Sequence, residues 1–313
     1  MPCKHTDFSF FYLKMSLKPV IRHFFTPADR FFLLIFSVSM TFSACSGPTV
    51  IAENAEGYET VFDWRERFLK PNVLKVNPKL KLLIYGAPSR DSERLKPAVI
   101  IFPGGGYKHL AVEKEGRQAA LWFQQRGFIA VVCLYPLPDG DYGRSTIAAC
   151  KRAVTYLYKH AEQYHINRQQ IGTCGFSAGG HLCSVLNSQW SETIPIQFNI
   201  LFYPVLSFEE GLAHQGSKQS WQGESEDTAF SAEKCIHADY PPTFLVHAAA
   251  DPVVVAENSR RYAQGLSDYN VSNQLCILYG IDKTIAHGFG LGHRNINLQW
   301  ENQLTNWLNT TLN

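Results

Sequence analysis

The stretch Ile171–Leu182, IGTCGFSAGGHL, decides how this chain is read. It sets one serine, Ser177, between Gly175 and Gly179, after the apolar run Gln170–Cys174 and ahead of a helix-forming run, Ala178–Leu186. A strand that reverses straight into a helix strains the backbone of the residue at its tip, so the positions two before and two after must be small. The hydroxyl then stands above the carboxyl end of the strand, with room for a reacting group. A glycine-rich turn without chemistry can show the same spacing. The strand–turn–helix setting favours a nucleophile.

A serine hydroxyl attacks only when a base takes its proton. On such a scaffold the acid and the histidine come later in the chain, in that order. TFLVHAAADPVVV ends an apolar run and supplies Asp251; AHGFGLGH follows the last apolar run and supplies His287. Asp251 would hold the imidazole in its working tautomer and stabilise the imidazolium. Its alternative reading is a turn aspartate before Pro252. Asp239 precedes its strand, and Asp282 lies close to His287 in sequence, so both are weaker candidates. His293 leads into the last helix and reads as a surface or capping residue. His247 lies inside a buried strand and reads as a core histidine. His181, at the start of the helix after Ser177, reads as packing.

An ester carbonyl under attack needs donors for the developing oxyanion. FPGGGY, Phe102–Tyr107, follows the run Ala98–Phe102, and its glycines let the backbone approach an oxygen closely. The amides of Gly105, Gly106 and Ala178 are the candidate donors. A phosphate-binding loop is disfavoured, because neither GKS/T nor GxGxxG is present.

Outward from these motifs, short apolar runs alternate with amphipathic stretches. Strands are expected at 79–85, 98–102, 128–134, 170–174, 198–203, 243–248 and 274–279, and helices at 113–126, 145–160, 256–266 and 297–308. Several strands are apolar throughout, as in a parallel sheet covered on both faces. The alternation predicts an α/β fold with a doubly wound, mostly parallel sheet flanked by helices on both faces. Residues 207–242 show no clear strand and read as an excursion above the sheet, a place where binding sites are often shaped.

The chain has 313 residues, 45% of them hydrophobic, enough for one sizeable core. The net charge is +2, and residues 1–45 hold five basic residues against two acids, which leaves the rest of the chain near −1. A near-neutral body gives no electrostatic case for nucleic acid. The basic stretch ending at Arg30 precedes FFLLIFSVSMTFSAC, Phe31–Cys45, too short for a comfortable span and suited to a signal-peptide core. Ser43 and Ala44 precede Cys45 as small residues precede a lipoprotein cysteine, although Phe42 stands where Leu is preferred. Lipidation at Cys45, ordinary cleavage, and a retained anchor or no export stay open, in that order; Met15 stands as an alternative start. The expected organisation is a leader over 1–45, a linker or N-terminal extension over 46–70 and a catalytic domain over 71–313. The expected location is the periplasm or the outer-membrane or cell surface, with membrane contact only through the lipid. Six cysteines remain beyond Cys3 and Cys45, without a CxxC pair, and read as buried free thiols. No zinc-type spacing occurs, and no metal or cofactor is expected.

FPGGGY, GFSAGGHL, HQGS (His214–Ser217), PPTFLVHAAAD, ENS (Glu257–Ser259) and HGFGL come in the order seen in acetylxylan-esterase-like α/β-hydrolases, the BD-FAE-like carbohydrate esterases and esterase/lipases. The chain resembles them from about Leu80 to Leu308. The resemblance implies one hydrolase domain, with Ser177, Asp251 and His287 as triad and Gly105, Gly106 and Ala178 as oxyanion site. It also implies an oligosaccharide or small-molecule ester as substrate, acetyl on plant polysaccharide above all. Two departures stand out. Relatives commonly carry two adjacent aspartates where this chain has Ala250–Asp251, and proline at Val255. The loop YGIDKTIAHGFGL is longer before its histidine than the usual turn. A serine peptidase, a general lipase or esterase, and a non-catalytic binding protein remain the alternatives on this fold.

Overall fold

The computed structural model describes residues 60–61, 72–77, 80–86, 94–189, 196–225, 230–292 and 299–313, all within the compact unit Ser46–Asn313. The expected leader with Cys45, most of the 46–70 extension and His293 lie outside the described residues.

Nine strands form one sheet among these residues: β1 (Thr60–Val61), β2 (Asn72–Asn77), β3 (Leu80–Tyr85), β4 (Lys96–Phe102), β5 (Ile129–Leu134), β6 (Ile166–Phe176), β7 (Phe198–Phe202), β8 (Thr243–Ala248) and β9 (Asn273–Leu278). Their order is β1-β2-β3-β5-β4-β6-β7-β8-β9. The three pairings from β1 to β5 are antiparallel and the rest parallel. All seven expected strands form. β1 and β2 were not expected, and Thr60–Val61 pairs within the segment read as a linker. β6 begins earlier than its apolar run, because Asn167 and Gln170 bond to each other and absorb a register shift against β4.

Helices cover both faces: α1 (Gln118–Gln124), α2 (Arg144–Lys159), α3 (Ala178–Asn187), α4 (Gln215–Gln222), α5 (Glu257–Asp268) and α6 (Gln299–Leu312). Alternate strand residues feed two cores, as the period of a strand dictates. Ile100, Phe102, Val131 and Cys133 face α2, α3 and α5; Val99, Ile101, Ala130 and Val132 face α1 and α6. The helix expected from Glu113 starts instead as a π-helical turn, Val112–Arg117, which turns Glu115 inward. α4 lies in the 207–242 excursion, where no element was expected. Its sequence, QGSKQSWQ, has little apolar periodicity, and it is anchored by the fully buried Trp221. Among the described residues no helix is long and apolar enough to cross a membrane.

The chain leaves β4 through α1 to β5 on one side, then returns through α2 to β6 on the other. That reversal opens a crevice at the carboxyl ends of β4 and β6, the position where such sheets bind ligands. Phe102 and Gly175 are register partners there, so FPGGGY and the Ser177 turn emerge side by side.

Phe176 and Phe202 end β6 and β7 as stacked rings, with centroids 4.6 Å apart, and Phe202 also meets Phe289 and Trp300 edge-on. Phe202→Ala should cost about 3–5 kcal/mol. The expected result is a lower urea midpoint with an unchanged m-value.

Candidate active site

Ser177 has φ 51° and ψ −118°, a strained conformation for a residue with a side chain. Backbone hydrogen bonds hold it there, among them three of 3.1 Å or less. Its N–H donates to the Phe202 carbonyl at 3.0 Å, and its carbonyl accepts from Gly180 at 2.9 Å and Val205 at 3.1 Å. The turn packs so tightly that a Cβ on Gly179 would sit 2.1 Å from the Phe102 carbonyl oxygen, so only glycine fits.

The structure brings Ser177, His287 and Asp251 together. Ser177 Oγ lies 3.0 Å from His287 Nε2, and His287 Nδ1 lies 2.8 Å from Asp251 Oδ2. A carboxylate only accepts, so Nδ1 carries the proton, and the serine hydroxyl donates to Nε2. Asp251 also performs its alternative role as a turn aspartate. Its Oδ1 accepts from the amides of Val253 and Val254 at 2.8 and 3.0 Å. Burial alone would raise the Asp251 pKa, but hydrogen bonds from His247, His287 and the backbone hold it well below the usual carboxylate range.

His247 is a core histidine, as read, with a further contact that the sequence did not suggest. Its Nε2 donates to the Val254 carbonyl at 2.8 Å and lies 3.3 Å from Asp251 Oδ2, while Nδ1 meets Ser259 Oγ at 2.8 Å. Asp282 and Asp239 are both exposed. Asp282 caps its own loop, accepting from the Thr284 N–H and hydroxyl at 2.8 and 2.6 Å. The extra residues before His287 are thus folded into a self-bonded surface turn, and the imidazole still reaches Ser177.

Gly105 adopts φ +125°, where a side chain would be strained, and a Cβ there would sit 2.3 Å from the His109 carbonyl oxygen. The carbonyls of Gly104 and Gly105 bond within their own loop, to Ala111 and to Lys108 and His109. The amides of Gly105, Gly106 and Ala178 have no hydrogen-bond partner among the described residues. A Cβ on Gly104 would come within 2.9 Å of the Ser177 Cβ, which puts this loop against the serine.

Two residues that the sequence reading passed over brace the loop. Glu115 Oε2 accepts from the Gly104 N–H at 2.7 Å, and its Oε1 accepts from the Tyr203 hydroxyl at 2.9 Å. The same hydroxyl accepts from the Gly290 N–H at 3.0 Å, and the Tyr203 ring packs 4.8 Å from that of His287. Burial raises the Glu115 pKa, and the bonds from Gly104 and Tyr203 oppose the rise. In sequence Glu115 belongs to the charged run VEKEGR, which reads as a solvated face, so no local signal marks it.

Ser177 and His287 open onto a cleft of about 560 Å³, whose walls include Gly105, Gly106, His214 and Val253. Among the described residues no group of three His, Cys, Asp or Glu side chains is placed to hold a metal ion. The six described cysteines are free, and burial pushes the Cys183 thiol up to about 12.

The BD-FAE family model matches residues 82–201. An acetylxylan esterase of Xylanibacter ruminicola is 32% identical over 203 residues, covering 62% of this chain and 41% of that protein. The endo-1,4-beta-xylanase B of Butyrivibrio fibrisolvens is 29% identical, covering 56% of this chain and 30% of that one. The chain therefore spans less than half the length of these two relatives. The crystal structure of an acetyl ester-xyloside bifunctional hydrolase from Caldicellulosiruptor lactoaceticus superposes with a TM-score of 0.66 at 30% identity, covering 75% of this chain and 89% of that one. The chain belongs to the acetylxylan-esterase-like α/β-hydrolases.

His181 lies fully buried beneath the serine turn. Its Nδ1 accepts from the Tyr107 hydroxyl at 2.8 Å, and its Nε2 donates to the Phe230 carbonyl at 2.9 Å. Burial lowers its pKa from 6.5 to about 4. An imidazole kept neutral in the fold takes up a proton on unfolding between those values. Its stabilisation is complete above pH 6.5 and drains away as the pH falls towards 4. At about pH 5 the loss should be on the order of 2 kcal/mol. Urea midpoints at about pH 7.5 and 5 should show it, with a smaller difference in His181→Gln.

Proposed function

We propose that this protein is a serine esterase that hydrolyses short acyl esters, acetyl foremost, on xylan-type polysaccharides or their oligosaccharides. The observation that carries the reading is the hydrogen-bonded series Ser177 Oγ, His287 Nε2 and Nδ1, and Asp251 Oδ2, at 3.0 and 2.8 Å. The substrate class is supported by the relatives, named as an acetylxylan esterase and an acetyl ester-xyloside hydrolase.

In the first step Ser177 Oγ bonds to the ester carbonyl carbon while its proton passes to His287 Nε2. The carbonyl oxygen becomes an oxyanion, which the amides of Gly105, Gly106 and Ala178 are free to receive. Asp251, held ionised, stabilises the imidazolium. Collapse breaks the bond to the alcohol oxygen, which leaves with the proton from Nε2. Water then attacks the acyl-enzyme by the same route, releasing the acid and restoring Ser177.

In p-nitrophenyl acetate hydrolysis, Ser177→Ala should lose about 10⁴-fold or more in kcat. Equal turnover in variant and wild type would remove Ser177 from the mechanism. A fluorophosphonate probe should label the wild type and not the variant, which sets an esterase apart from a binding protein.

The same reading places the hydrolase outside the cytoplasm, attached through a lipid on Cys45. The support is the run FFLLIFSVSMTFSAC behind a basic stretch. Cys45→Ala should release the protein from the membrane fraction of expressing bacterial cells. An unchanged distribution would count against lipidation.

A further inference from the structure

One wall of the cleft is unused by the mechanism. His214, just ahead of α4, accepts the Ser217 N–H at Nδ1 (3.2 Å), with Ser217 Oγ 2.8 Å away. A ring nitrogen that accepts a backbone N–H carries no proton, so the neutral ring has its hydrogen on Nε2. Burial, with His287 and Lys108 nearby, lowers the pKa of His214 and favours that neutral form. Nε2 has no hydrogen-bond partner among the described residues.

Beside it stands Lys108, exposed and without an ion-pair partner among the described residues. Gly216 separates the two. A Cβ built there would lie 3.4 Å from His214 Cε1 and 3.8 Å from Lys108 Nζ, in ordinary contact with both. The absence of that carbon leaves a hollow between the His214 ring and the Lys108 ammonium. Lys114 has its Nζ 3.9 Å from the Cβ position of Gly288, next to His287, and also lacks an ion-pair partner among the described residues. The carboxylates that meet the reacting groups are committed: Asp251 to His287 and the backbone, Glu115 to Gly104 and Tyr203.

We infer that His214, Lys108 and the open face of Gly216 form a subsite for the alcohol half of the ester, and that it takes a sugar bearing a carboxylate. This rests on the serine-esterase reading. His214 Nε2 and Lys108 offer a donor and a positive charge, so together they match acceptor oxygens and, best among sugar substituents, a uronate carboxylate. A short acyl group such as acetyl carries no charge, so the anion belongs to the alcohol half.

Three substrates test it: p-nitrophenyl acetate, acetylated xylotriose, and acetylated xylotriose carrying a glucuronosyl branch. Wild type should prefer the branched over the neutral oligosaccharide by about three- to tenfold in kcat/KM at low salt. The preference should shrink in about 0.5 M salt, where charges are screened within a few ångströms. Lys108→Gln should abolish it. Gly216→Ala favours the helix and fills the hollow. His214→Asn keeps a capping acceptor while removing the Nε2 hydrogen. Each of these two should lower the ratio of oligosaccharide to p-nitrophenyl acetate kcat/KM by about three- to tenfold. Equal wild-type rates on the two oligosaccharides would overturn the inference. So would variants that slow all three substrates by one factor, the mark of a merely structural role. Failure of the esterase reading looks different: Ser177→Ala would match wild type on p-nitrophenyl acetate, and the subsite would fall with it.

Discussion

The backbone of Ser177 is bent into a conformation that a side-chain-bearing residue rarely adopts, and four hydrogen bonds, two with the end of β7 and two from the start of α3, keep it there. Without the Phe202 carbonyl on one side and the Val205 amide on the other, the turn would relax and the hydroxyl would swing off the His287 ring. The strain is sustained by the sheet, because β6 lies between β4 and β7 and is buried on both faces. Gly179 then lets α3 start within touching distance of the Phe102 carbonyl. The position of Ser177 is thus a consequence of how closely three parallel strands pack.

Two buried carboxylates flank the site, and their surroundings divide the work. Asp251 collects the ring of His287, the ring of His247 and two backbone amides, so its ionised form is strongly favoured despite burial. Glu115 has one amide and one phenol for partners, so burial prevails and its pKa rises. The first orients the ring of His287. The second ties the Gly104 loop to Tyr203, and through that phenol to Gly290, three residues beyond the histidine. Loops from β4, β7 and β9 are thereby joined by a single phenol–carboxylate contact beside Ser177 and His287.

Much of the scaffold was legible because its signals are local. The seven strands of the central sheet are apolar runs, and runs of that kind are buried wherever they sit. The serine turn was legible because glycines at 175 and 179 answer a steric demand within five residues. β1 and β2 were missed because they lie on the edge, where half-polar sequence such as NVLKVN carries no distinctive pattern. α4 was missed for a related reason: its eight residues are held by the burial of Trp221 in a pocket made by other elements. The π-helical entry to α1 was read as ordinary helix, since the outward charges of Glu113 and Arg117 mask the inward turn of Glu115.

The amino-acid order by itself determined the α/β alternation, the Ser177 elbow, the glycine loop after β4 and the sequence Ser, Asp, His, because each follows from periodicity or from steric need over a few neighbouring residues. Only the tertiary structure decided that His287 rather than another imidazole meets Ser177, that His247 shares Asp251, that Glu115 and Tyr203 brace the loop, and that His214 lines the cleft. Those are distances between residues tens of positions apart. They are set by the order in which strands stack into the sheet, which no short stretch of sequence encodes.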